Sequence, residues 1–183
     1  MKMRFVLVCG LILSVVTSKA QTAFEEISAD PNKSASVYYA YPEISEQYTL
    51  PPEGYTPFYI SHYGRHGSRY LISDSEYQTV MEILDKADAV GFLTDKGKSV
   101  RSRLEVVWRD AEGLGGQLTP LGYRQHRSIS ERMFYNFPDV FKGKRKISAC
   151  STVVIRCALS MATFCETLKG LNPELQFTYG SVE

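Results

Sequence analysis

Two adjoining stretches, Pro57-Phe58-Tyr59-Ile60-Ser61-His62 and Arg65-His66-Gly67-Ser68-Arg69, decide how this chain reads. The first is a short, largely apolar run, which predicts a buried strand. The second places a histidine between two arginines with a glycine beside it. Guanidinium forks match phosphate oxygens, and an imidazole nitrogen can attack phosphorus. Gly67 allows a sharp turn or a close backbone approach. A merely basic loop is the plainer reading, but an ordered Arg-His-Gly-Ser-Arg cluster at a strand end favours a phosphate site.

Downstream, the pattern alternates helices and strands. A helix is expected over residues 75–89, capped by Ser75, with Val80, Ile83, Leu84 and Ala87 on one face and Gly91 as its stop. A second is expected over 95–110, burying Val100, Leu104, Val107 and Trp108. Thr119-Pro120 is a good helix start, with Thr as cap and Pro in the first turn, and that helix should reach about Tyr135. Residues 146–150 and 175–179 read as strands flanking a helix over 153–168 that stops at Gly170. Such alternation implies an α/β fold, with ligands gathered at the carboxyl ends of strands. Both Arg65–Arg69 and Ser151–Arg156 follow strands, so two distant segments should meet at one edge.

Three motifs resemble one family, in order and in spacing. Arg65-His66-Gly67-Ser68-Arg69 resembles the R-H-G-x-R signature of the histidine phosphatases, in particular the histidine acid phosphatase and phytase branch. Gly116-Gln117-Leu118-Thr119-Pro120-Leu121-Gly122 resembles its G-x-L-T-x-x-G. Ser151-Thr152, Arg156 and the run from Ala162-Thr163-Phe164 to Gly170-Leu171 resemble the segment carrying a further phosphate-binding Arg. The wording around Gly115 to Thr119 and Gln125-His126-Arg127 looks most like bacterial relatives of multiple inositol polyphosphate phosphatase. The likeness covers about residues 50–180.

That resemblance implies a three-layer, phosphoglycerate-mutase-like sheet with helices on both faces, here truncated. It implies a phosphomonoesterase acting on phytate or other inositol polyphosphates through a phosphohistidine. His66 would be the nucleophile, Arg65, Arg69 and Arg156 would hold the phosphate, and no metal or other cofactor is needed. Two departures stand out. Leu71 occupies a position where the family often has Pro, a matter of turn shape. The family's second histidine, in an H-D or H-A-E motif, has no match, since the other histidines are His62 and His126. The resemblance implies that it lies in a C-terminal half expected to be missing here, as does the proton donor. The 183-residue chain alone is therefore expected to be poorly soluble or inactive. Alternatives are a broad acid phosphatase, a non-catalytic phosphate-binding or vestigial module, and a mutase-like enzyme, which an export signal disfavours.

The other candidates are weighed individually. Arg156 could be an exposed helix residue making salt bridges, yet its place just after Ser151-Thr152 favours the pocket. Lys98 and Arg101, with Arg109 on roughly the same helical face, are candidate contacts for a highly phosphorylated substrate. A face charged for solubility explains them equally well. Thr119 reads as a cap, His126 as a structural or surface residue, and His62 as packed. Residues 142–146, Lys-Gly-Lys-Arg-Lys, read as a solvated face at the far end of a strand.

Composition supplies the frame. Lys2 and Arg4 precede an apolar run, residues 5–16, too short to span a membrane, and Ser18-Lys19-Ala20 suits cleavage before Gln21. Residues 1–20 read as a signal peptide, 21–50 as an extended polar arm, and 51–183 as part of one α/β domain. The product is expected in a periplasm or secreted, with no membrane span after cleavage. A net charge of +1 argues against a nucleic-acid partner. Cys150, Cys157 and Cys165 are odd in number and read as small buried residues, the last two being too far apart along a helix to bond.

Overall fold

The computed structural model describes residues 22–44 and 48–182. The expected signal peptide, residues 1–20, lies outside the described residues. The described residues form two compact units, divided between Tyr39 and Ala40.

In the first unit, residues expected as an extended arm are helical. Helix α1 (Ala23–Ala29) starts at Thr22, whose hydroxyl accepts the Glu25 N–H while Glu25 accepts the Thr22 N–H at 2.9 Å. This reciprocal box satisfies two donors that a helix start leaves over. A 3-10 segment (Pro31–Tyr38) follows, kinked at Ser36, with Asp30 accepting from the Asn32 N–H. The polar composition hid these caps, because Thr, Asp and Ser suit helix starts as well as loops.

The second unit holds α2 (Asp74–Ala89), α3 (Asp95–Ala111), α4 (Pro120–Asn136), the single turn α5 (Pro138–Phe141), β1 (Lys146–Thr152), α6 (Ile155–Leu171) and β2 (Gln176–Val182). The strands pair in parallel from Lys146↔Gln176 to Thr152↔Val182, with α6 as the crossover. Helix α6 packs on β1 and on α4, and α2 packs on α3. The fold is mixed α/β, as expected. Phe141, Leu168 and Leu175 are the buried centre of the core, joined by Ile60, Phe134, Ile147, Phe164 and Phe177. Asn172 ties the end of α6 to this centre by donating to the Phe141 and Gly143 carbonyls at 2.6 and 3.0 Å. That explains why α6 continues past Gly170.

Several expectations need correction. Residues 57–62 join no ladder among the described residues. Ile60 packs into the core, but Phe58 and Tyr59 are exposed. A strand is defined by its neighbour, and the run has no paired neighbour here. Ser73, not Ser75, precedes α2, and its N–H donates to Glu76. Val80, Ile83, Val100 and Val107 are exposed, whereas Leu84, Ala87, Leu104 and Trp108 are partly covered. Of the three free cysteines, Cys165 is buried, Cys157 half-buried and Cys150 exposed. Burial pushes the Cys165 thiol up to about 11, so it behaves as an inert apolar group. Among the described residues, no helix is long and apolar enough to cross a membrane.

Candidate active site

The loop carrying His66 is held by backbone and by buried polar side chains from two helices. Residues 68–71 run antiparallel to 116–119 through the Arg69↔Leu118 bridge. Flanking it, the Tyr70 N–H donates to Gln117 at 3.0 Å and the Gly116 N–H to Leu71 at 2.7 Å. The Ser68 carbonyl accepts both the Thr119 N–H and the Thr119 hydroxyl, at 2.9 and 3.0 Å. Thr119 also caps α4 by accepting the Gly122 N–H. Its reading as a cap stands, with a second duty added. Gln125 accepts the Ser68 N–H at 2.7 Å, and the Ser160 hydroxyl accepts the Gly67 N–H at 3.1 Å. Ser160 in turn donates to the Arg156 carbonyl. The loop thus touches α4 and α6 at once, which joins the three sequence motifs.

Gly67 and Gly122 make this possible. A Cβ on Gly67 would lie 2.5 Å from the Gly122 oxygen and 2.7 Å from its Cα. Neither glycine has a positive φ, so what each supplies is room rather than conformational freedom.

The His66 ring is half-buried, and its Nδ1 lies 2.8 Å from the Gly67 carbonyl oxygen. A carbonyl can only accept, so Nδ1 carries the proton and Nε2 keeps its lone pair. Burial pushes the His66 pKa below its ordinary value. The Gly67 bond opposes this, while the charges of Arg156, Arg69 and Arg65 push it further down. All four principal candidates are therefore brought together. Arg69 also donates to the Tyr70 carbonyl at 2.8 Å. Arg156 sits in the first turn of α6, just past the carboxyl end of β1, where the helix dipole adds positive potential. Its Nε is buried without a hydrogen-bond partner among the described residues, a state that an anionic ligand would relieve. Gly116 (φ 73°) comes close to Arg156, since a Cβ there would lie 3.7 Å from Nη1.

The weaker candidates fall elsewhere. Arg101 binds Asp85 at 2.6 Å and reaches Asp88 at 3.8 Å, tying α3 to α2. Lys98 is exposed one turn earlier on α3. The ion pairs of Arg101 thus run to α2 rather than to the His66 loop. The basic run at 142–146 enters β1 at its amino end, opposite Thr152.

His126 is not a surface residue. It is 5% exposed, packs edge-on against Tyr41 at 5.8 Å between centroids, and leaves Nε2 buried without a partner. Its pKa is lowered by burial first, then by His62 and His66, against an opposing contribution from the Arg65 backbone. His62 stacks on Phe164 at 5.1 Å but remains exposed, so its packed reading holds only for one ring face, and that partial cover lowers its pKa too. Sequence reasoning missed Tyr41, Ser160 and a holding role for Gln125. The only available signal for the last two was a polar residue on the inner face of an otherwise apolar helix stripe.

These shifts set an acid sensitivity. All three histidines have folded pKa values below the ordinary 6.5. Above that value both folded and unfolded chains are neutral at these sites. As pH falls through it, the unfolded chain takes up protons first, so stability drops. Thermal melts from pH 7.5 to 5.5 are expected to show a falling midpoint, with a shallower fall in His126→Asn. An identical slope in that variant would remove His126 from the account.

No protein-family model matches this chain, and no curated protein matches it at a significant level.

Proposed function

We propose that this chain carries the phosphate-binding half of a secreted or periplasmic histidine acid phosphatase, acting on phytate or other inositol polyphosphates. The observation that carries this is the His66 arrangement. Its Nδ1 proton is committed to Gly67, which leaves Nε2 as nucleophile among three arginines drawn from two distant segments. The finer fold would then be the three-layer, phosphoglycerate-mutase-like sheet, with further strands beside β1 and β2.

In the forward step, Nε2 donates its lone pair to phosphorus and the bond to the leaving oxygen breaks. Arg65, Arg69 and Arg156 hold the non-bridging oxygens and offset the charge that spreads over them. The lowered pKa keeps the ring neutral in mild acid, which preserves the nucleophile. The leaving alkoxide takes a proton from an acid, and water then cleaves the phosphorus–nitrogen bond to regenerate His66.

A second reading has its own support. Among the described residues, the groups that shift the His66 pKa are a carbonyl and three arginines, with no carboxylate. A chain that binds phosphate without a proton donor is a binding module. Under the enzyme reading the acid comes from a segment or subunit other than the described residues.

The test is a rapid quench of the full chain, mixed with a radiolabelled aryl phosphate, into alkali, where phosphohistidine survives. Label on the peptide containing His66 is expected even without the proton donor, because an aryl oxide leaves unprotonated, whereas turnover of an alkyl ester is not expected from this chain alone. Phosphate binding without label would shift the assignment to the binding module, and absence of both would sink the phosphate reading. Relative rates on phytate and the aryl ester then separate a phytase from a broad acid phosphatase.

A further inference from the structure

Arg65 opens the motif and is exposed. A phosphate cradle works best when its guanidinium groups are oriented before the ligand arrives. The structure supplies Tyr41, 24 residues earlier in the chain. The Tyr41 hydroxyl donates to the Arg65 carbonyl. The Arg65 guanidinium lies over the Tyr41 ring, with Cζ 5.5 Å from the centroid. One side chain therefore grips both the backbone and the charged head of Arg65. The Tyr41 ring is itself fixed, because its neighbour is the buried, edge-on His126 of α4. The hydroxyl also comes near Gly64, where a Cβ would lie 3.6 Å from it.

We infer that Tyr41 is a positioning residue, which sets the Arg65 guanidinium for phosphate and is itself braced by His126. This rests on the phosphate reading of the His66 site. It places a determinant of that site in residues 40–44, ahead of every motif. The hydroxyl and the ring do separable work. The hydroxyl anchors the main chain from which the guanidinium projects and the ring face attracts the cation electrostatically, so both act on phosphate through that guanidinium.

The experiment measures inorganic phosphate affinity by calorimetry on the full chain. The chains compared are the unaltered one, Tyr41→Phe, Tyr41→Leu, Arg65→Gln and the Tyr41→Leu/Arg65→Gln pair. Tyr41→Leu is expected to weaken binding about tenfold, and Tyr41→Phe, which keeps the ring, about threefold. With Arg65 already replaced, Tyr41→Leu should weaken binding by less than about twofold, because its effect runs through that guanidinium. A merely structural role would weaken binding equally in both backgrounds and would overturn the assignment, as would no loss in either Tyr41 variant. Should Tyr41→Leu not fold, Tyr41→Phe with and without Arg65 decides alone. If the unaltered chain binds no phosphate at millimolar concentration, the phosphate reading fails and this role fails with it. If it binds and Tyr41 is silent, only the role of Tyr41 fails.

Discussion

Replacing His66 by asparagine is expected to abolish covalent labelling while leaving phosphate bound. The two effects separate because they rest on different atoms. Attack needs the Nε2 lone pair, which the Gly67 hydrogen bond leaves free and which an asparagine amide does not reproduce. Loss of a covalent nucleophile lowers turnover by roughly a million-fold in well-studied hydrolases. Ground-state phosphate is held in this reading by Arg65, Arg69 and Arg156, which remain. Removing one ring contact should then weaken binding by no more than about tenfold, the range of a single net hydrogen bond. The label is followed by alkaline quench and the affinity by calorimetry. Full labelling of His66→Asn would place the nucleophile elsewhere. In a complete enzyme, turnover surviving His66→Ala would do the same. Loss of both label and phosphate, with the melting profile intact, would make His66 a ligand rather than a nucleophile.

What could be read beforehand depended on how local its cause is. The start of α4 was legible because Thr119 and Pro120 act within one turn, and the structure shows the cap as expected. The same holds for α3 and for β1, whose bounds differ from expectation by only one or two residues. Residues 57–62 failed as a strand because pairing is a property of two segments, and only one was in view. Periodicity likewise identified apolar stripes on α2 and α3 without saying whether anything covers them. Val80, Ile83, Val100 and Val107 prove exposed. His126 read as structural or surface because Arg124, Gln125 and Arg127 surround it in sequence, and only the structural half of that reading holds. In space, Gln125 and His126 turn inward beneath the loop while Arg124 and Arg127 remain outside. Tyr41 was hidden for the same reason at longer range, since nothing in a polar arm announces a contact 24 residues away. Of the two strand ends expected to bring His66 and Arg156 together, only that of β1 is present, and the His66 loop is held instead by Thr119, Gln125 and Ser160.

Gly122→Ala is expected to destabilise the second unit severely, and Gly170→Ala to stabilise it, although both glycines lie in helices. A methyl on Gly122 would overlap the Ser68 carbonyl oxygen and press on the Ser68 nitrogen at 3.0 Å. The obstacle is backbone, so no rotamer change relieves it. The loop would have to shift, loosening the two Thr119 bonds to the Ser68 carbonyl and the Gln125 bond to the Ser68 N–H. Overpacking costs about 1–3 kcal/mol, and each loosened hydrogen bond about 0.5–1.5 kcal/mol. The gain in helix propensity from alanine is at most about 1 kcal/mol, so the net loss should be about 1.5–6.5 kcal/mol. That is a large share of the roughly 5–15 kcal/mol that holds a domain folded. At Gly170 a Cβ meets nothing within 4 Å and φ is not positive, so only the propensity gain of about 0.5–1 kcal/mol remains. Urea melts of the two variants beside the unaltered chain measure both signs. A Gly122→Ala chain as stable as its parent would mean that the loop and α4 do not meet as described, and the joining of the first two motifs would fall with it. Gly67→Ala meets the same interface from the loop side and should behave alike, whereas a side-chain clash would have yielded at one of the two positions.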